Sequence, residues 1–201
     1  KLYKNRKEVK VKVLGTKDAK KRYISEIKRI DVVQEMQLMT WTFCLSTELW
    51  EKYSERKSSV NLVELKKIKY FSDTGTELSE EVKQLPNDKG GIYLYVIENC
   101  VIPNSGSYIM YVGRARCTQN ENLRNRAKSH FKQYVRHEEN ERLERLFDKW
   151  KPYIYLLYLP IDGNDEIDLV EDELIIALTP PCNKEYPSPK IRKKLSAFNY
   201  S

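Results

Sequence analysis

The stretch from Gly90 to Gly113, GGIYLYVIENCVIPNSGSYIMYVG, constrains the fold more than any other part of the chain. Gly91-Ile92-Tyr93 opens one run of β-branched and aromatic residues, and Tyr111-Val112-Gly113 closes a second. Asn104-Ser105-Gly106-Ser107 lies between them. Turn residues between two strand-like runs predict a β-hairpin. With a tyrosine near each end, the hairpin is expected to place two phenols on one small sheet.

The flanking segments are mostly helical in pattern. Apolar residues recur near helical spacing from about Asp18 to Tyr53, with Asp31 as a capping residue between two helices. Val11 to Gly15 is a short strand candidate, and Val60 to Tyr70 fits either a helix or a strand. Asp73-Thr74-Gly75-Thr76 is a turn, and Leu78 to Leu85 predicts a short helix stopped by Pro86. After the hairpin come helices over Asn122 to Val135 and Glu138 to Trp150. A strand is expected over Tyr153 to Leu159, between Pro152 and Pro160. A last helix is expected from about Asp165 to Leu178, stopped by Pro180-Pro181. Composition shifts near residues 75–88. Two parts follow: a mainly helical N-terminal region over 1–84, for DNA contacts or dimerisation, and a second domain over 85–201 with a basic C-terminal tail.

Charge narrows the class of partner. The 201 residues include 36 Lys+Arg against 29 Asp+Glu, a net charge of +7, together with 14 tyrosines. Cations neutralise phosphates and aromatic rings stack on bases, so the balance favours nucleic acid. The four cysteines, Cys44, Cys100, Cys117 and Cys182, form no C-x-x-C pair. They read as free thiols in a reducing cytoplasm rather than as disulfides or a zinc site. With only His130 and His137 to offer imidazoles, a bound metal is expected to be a hard cation held by oxygen. No run is long and apolar enough for a membrane span, and nothing calls for an organic cofactor.

The last predicted helix carries the most informative residue. At 100° per residue, Ile167, Leu174, Ile175 and Leu178 fall within about 60° of Glu171. Glu171 therefore sits in the apolar stripe, whereas Asp168, Asp172 and Glu173 read as surface acids. A carboxylate turned towards a core needs a cation. Either a buried ion pair with an arginine or a metal satisfies that need. On the helix over 122–135, Arg126 and His130 are four residues apart and face one site.

In order, GIY at 91–93, YVG at 111–113, Arg126 with His130, Glu171 and Asn183 resemble the signature of the GIY-YIG nuclease family. Leu85-Pro86 is similar to the family's lead-in, Asn122 to Phe131 to its arginine helix, and Glu171 through Pro180 to Asn183 to its glutamate segment. The similarity covers about residues 85–186. YVG stands where the family has YIG, and the link from Tyr93 to Tyr111 is long for the family.

The resemblance implies an α+β fold with a small three-stranded antiparallel sheet flanked by helices. It also implies metal-dependent hydrolysis of phosphodiesters. Glu171 would hold Mg²⁺, for which Mn²⁺ would substitute, and Arg126 would stabilise the transition state. Tyr93 would orient or deprotonate the attacking water, helped by Arg114 and His130 lowering the affinity of its phenol for a proton. Tyr111 would support by hydrogen bonding, and Asn183 would fix the glutamate segment or a phosphate. The expected function is a DNA endonuclease of restriction or phage-defence type, with a homodimer making double-strand breaks. A repair or mobile-element nuclease and a non-catalytic nucleic-acid-binding module are the alternatives.

Overall fold

A computed structural model describes residues 41–102, 105–189 and 191–193. The expectations for the basic end at Lys1 to Lys10, the strand at Val11 to Gly15, the helical pattern up to Thr40 and the last residues of the tail lie outside them. The described residues belong to a compact unit that begins at Trp41. Helix α1 spans Thr47–Ser54 and is capped by Ser46, whose side chain accepts from the Leu49 amide. It is the end of the helical pattern read up to Tyr53, and residues 41–46 before it are not helical.

Among the described residues the sheet has four strands: β1 (Lys66–Lys69), β2 (Gly90–Glu98), β3 (Ser107–Ala115) and β4 (Ile154–Ile161). Their order is β1-β4-β2-β3, and every pairing is antiparallel. The three-stranded expectation therefore falls one strand short. The extra strand, β1, reads Lys-Lys-Ile-Lys and pairs Lys66 with Tyr158 and Lys69 with Tyr155. It comes from the segment assigned to the N-terminal region. A short lysine-rich strand protects an open sheet edge from pairing with other chains, but it lacks the apolar alternation that marks a strand in sequence.

Helix α2 is a single turn, Glu80–Lys83. Helices α3 (Leu123–Val135) and α4 (Glu141–Trp150) follow the hairpin, and α5 (Asn164–Leu178) follows β4. Among the described residues no helix is long and apolar enough to cross a membrane. Asn122 caps α3 by accepting from the Asn125 amide at 2.8 Å. Leu85-Pro86 packs against that end of α3: Leu85 accepts from Arg124 Nε at 2.6 Å and Pro86 from the Arg124 amide at 3.1 Å.

Alternation along the strands sorts the side chains into two cores. Tyr93, Tyr95 and Ile97 of β2 face α3 and α4, where they join Tyr70, Phe71, Ala127, Leu146 and Phe147. Ile92, Leu94 and Val96 face α5, where they join Ile167, Val170, Leu174 and Ile175. Phe147 is fully buried, with its ring 5.2 Å from Tyr95, 5.4 Å from Tyr70 and 5.5 Å from Tyr134. Phe147→Ala empties the centre of the first core and is expected to cost about 3–5 kcal/mol in urea unfolding. That is a large share of a typical domain's stability. A loss below about 1 kcal/mol would show that this core is not packed as described.

One irregularity matters for the site. Tyr95 pairs with Tyr111, but Val96 pairs with Ile109, so Met110 is an extra residue in β3. Such a bulge puts two successive side chains on one face. Met110 and Tyr111 both pack on the α3 side of the sheet, between Ile109 and Val112 on the α5 side.

Candidate active site

Because β3 is a terminal strand of the sheet among the described residues, side chains from both faces meet around its outer edge. Tyr111 and Arg126 reach that edge from the α3 side, and Arg114 and Glu171 reach it from the α5 side. With Asn183 they line one cleft of about 690 Å³. Tyr93 and His130, each 2% exposed, lie behind the cleft wall.

The backbone around this edge is built for close approach. A Cβ on Gly113 would lie 2.6 Å from Cζ and Oη of Tyr93 and 2.7 Å from Cε1 of Tyr111. Only glycine lets the two phenols lie over β3 here. On Gly91 a Cβ would come within 2.1 Å of the Leu159 carbonyl oxygen, across the β2–β4 ladder. The glycines of GIY and YVG are thus both steric requirements of the sheet.

The outer edge of β3 is paired by the segment after α5. Thr179 ends α5 in the left-handed region (φ 43°), and Pro180-Pro181 turn the chain back. The Cys182 amide then donates to the Met110 carbonyl at 2.9 Å. Asn183 imitates a strand partner. Its Oδ1 accepts from the Val112 amide at 3.0 Å, and its Nδ2 donates to the Val112 carbonyl at 2.8 Å. Of the two roles expected for Asn183, this geometry serves the holding of the glutamate segment, since both amide groups are engaged with the backbone.

Glu171 is 8% exposed and pairs with Arg114 Nη1 through Oε2. Its environment is the buried ion pair that the helical arithmetic left open beside a metal. Burial raises its carboxyl above the ordinary 4.5, and the Arg114 guanidinium opposes that rise. Arg114 also binds Asp168, Nε to Oδ1, at 2.9 Å. Asp168 in turn pairs with Arg116, Nε to Oδ1, at 3.0 Å. Asp168 is therefore no ordinary surface acid. Nor is Glu173, whose carboxylate accepts from the Lys57 amide at 2.7 Å and from the Ser58 hydroxyl.

Arg114 does not approach Tyr93 as expected. It lies three residues after Tyr111 without a further bulge, so it points to the other face of β3. Tyr93 is held instead by α3. Its hydroxyl lies 2.7 Å from His130 Nε2 and accepts from Arg126 Nε at 3.2 Å. The phenol is also not acidified. Burial pushes its pKa well above the ordinary 10.0, Tyr111 adds to the rise, and Arg126 offsets part of it.

A residue absent from the sequence reading completes the group. Glu139 Oε2 lies 2.6 Å from His130 Nδ1, with side chains 6% and 3% exposed. Helix α4 begins at Glu141, with Asn140 as its cap, rather than at Glu138. His137 adopts φ 57° in the turn before it, and Glu139 lies back against α3. Burial lowers the His130 pKa below the ordinary 6.5 although Glu139 raises it. Burial opposes ionisation of Glu139, but the bonds from His130 and the Asn140 amide outweigh it, and its pKa lies below 4.5.

For a hard cation the cleft offers one buried carboxylate, Glu171. Among the described residues no group of three or more His, Cys, Asp or Glu is placed to hold a metal. Glu171 would be one oxygen ligand in a roomy cleft with four arginines on its walls, Arg114, Arg116, Arg126 and Arg192. Mg²⁺ is commonly bound in this way, by one or two carboxylates plus waters and phosphate oxygens. Comparisons with family models, curated proteins and solved structures returned no match to the chain.

Proposed function

We infer that the chain is a Mg²⁺-dependent DNA endonuclease of the kind the GIY-YIG resemblance implies. The observation that carries this reading is the convergence of Glu171, Arg126, Tyr111 and the Tyr93–His130 pair on one sheet edge from four separate elements. A structural ion pair accounts for Glu171 and Arg114, but not for a buried phenol held between a guanidinium and an imidazole.

The chain's own groups divide the work. Arg114 keeps Asp168 as a partner when Glu171 turns to a cation, so release of the carboxylate leaves no unpaired guanidinium. Bound at Glu171, Mg²⁺ would neutralise charge on the scissile phosphate and the leaving oxygen. Arg126 lines the cleft and meets the negative charge that grows on the phosphoryl oxygens. As Arg126 swings from the Tyr93 oxygen to the phosphate, that oxygen opens to the attacking water, takes its proton and passes the phenol's own to His130 Nε2. Tyr111, at the cleft wall, orients water or phosphate by its hydroxyl. Gly113→Ala would push both phenols aside and is expected to slow cleavage about 10²-fold. Unchanged cleavage by this variant would mean that the phenols play no part.

Supercoiled plasmid incubated with the chain tests the function. Nicked circles are expected in Mg²⁺ and none in EDTA. Plasmid that is shifted on a gel under both conditions and never cut would instead establish a binding module. One site cuts one strand, so a restriction or defence role calls for a homodimer, and linear product from a dimer on gel filtration is the expected result. Nicking by a monomer would favour the repair or mobile-element alternative.

A further inference from the structure

His130 has its second nitrogen engaged as well as its first. Nε2 meets the Tyr93 hydroxyl at 2.7 Å, and Nδ1 meets Glu139 Oε2 at 2.6 Å. The rings of Tyr93, Tyr95 and Tyr111 wall the imidazole, with centroids 5.7, 5.7 and 6.0 Å away. A carboxylate only accepts, so Nδ1 carries the hydrogen. In the neutral ring Nε2 is then bare and accepts from Tyr93, whose oxygen accepts from Arg126. Every donor in the row has one acceptor, and the direction of proton flow is set.

We propose that Glu139 is a positioning residue of the hydrolytic reaction: it holds His130 in the tautomer whose bare Nε2 receives the Tyr93 proton, and its charge stabilises the imidazolium that results. This rests on the nuclease reading above. As water attacks, one of its O–H bonds breaks and its oxygen bonds to phosphorus. The proton goes to the Tyr93 oxygen, and the Tyr93 hydrogen goes to His130 Nε2. The P–O bond to the leaving group breaks with its electron pair, and the leaving oxygen takes a proton from solvent. The imidazolium later returns its proton through Tyr93 to water. The same carboxylate–imidazole logic orients the general base of hydrolytic triads.

The second oxygen of Glu139 makes the proposal sharp. Oε1 accepts from the Asn140 backbone amide at 2.7 Å. In Glu139→Gln only one oxygen remains, and the Asn140 backbone N–H, which can only donate, keeps it as its acceptor. The new NH₂ then faces His130 Nδ1, which must accept. The hydrogen moves to Nε2, and Tyr93 loses its proton outlet.

The test uses the full chain labelled with ¹⁵N-histidine, with His137→Asn, which tolerates the left-handed turn, to assign the two rings. Wild type is expected to show an unprotonated Nε2 and a protonated Nδ1, and Glu139→Gln the reverse. A protonated Nε2 in wild type overturns the proposal without recourse to any Glu139 variant. Single-turnover plasmid cleavage by Glu139→Gln is expected to fall about 10²–10⁴-fold with DNA affinity unchanged. In a His130→Ala background the same change should cost less than about threefold, because both residues act in one relay. Wild type that cuts while Glu139→Gln cuts within about threefold overturns the proposal alone. Wild type that leaves plasmid intact in Mg²⁺ and Mn²⁺ overturns the nuclease reading and takes this proposal with it.

Discussion

Glu171→Ala is expected to slow DNA cleavage by at least about 10³-fold. A metal that neutralises a scissile phosphate contributes several kcal/mol to the transition state, and each 1.4 kcal/mol or so is tenfold in rate. The fold should survive the change. Glu171 is buried, but its loss does not strand Arg114, which retains Asp168 at 2.9 Å. A second readout separates metal binding from chemistry. At about a hundredfold excess over its Kd, Mg²⁺ should stabilise wild type by about 2.7 kcal/mol, and it should leave Glu171→Ala unmoved. Mg²⁺ stabilisation that persists in the variant would place the ion elsewhere, whatever the effect on rate.

Tyr93→Phe is expected to lower the rate about 10²–10⁴-fold while DNA affinity stays unchanged, since a positioned proton acceptor contributes that much. The ring remains, so the contacts with Tyr95 and Tyr111 in the first core are kept. What disappears is the oxygen between His130 Nε2 and Arg126 Nε. Both groups are then left without that partner, and unfolding in urea should show a cost of about 1–3 kcal/mol. A variant that loses stability but cuts at the wild-type rate would make Tyr93 a structural phenol only. Single-turnover cleavage beside equilibrium binding distinguishes the two outcomes.

Much of the site was legible because it follows from simple periods. The hairpin and β4 announce themselves by apolar runs bounded by turn residues. Turning residue by residue at 100° puts Glu171 inward, and the structure leaves it 8% exposed. The same arithmetic sets Asp168 about 60° from Glu171, at the border of the stripe. Its place beside Arg114 was therefore available, as was the position of Arg114 on the face opposite Tyr111.

What was not legible depends on contacts between distant residues. β1 has one apolar residue in four and becomes a strand only because β4 offers it a ladder. The bulge at Met110 changes which side chains share a face, and no residue type there signals it. Glu139 reaches His130 only because the turn at His137 brings the chain back and Asn140 delays the start of α4. The carboxylate read as part of a helix is the one that completes the Tyr93–His130 row.

The most direct test of the central claim, that the sheet edge of β3 hydrolyses phosphodiesters with a divalent cation at Glu171, is the rate of plasmid nicking by the wild-type chain as Mg²⁺ rises from zero. The expected curve starts at no cleavage in EDTA and saturates with a slope of about one ion per site, as one carboxylate with waters and phosphate oxygens would give. Cleavage that continues in EDTA, or plasmid left intact at every concentration of Mg²⁺ and Mn²⁺, would contradict it.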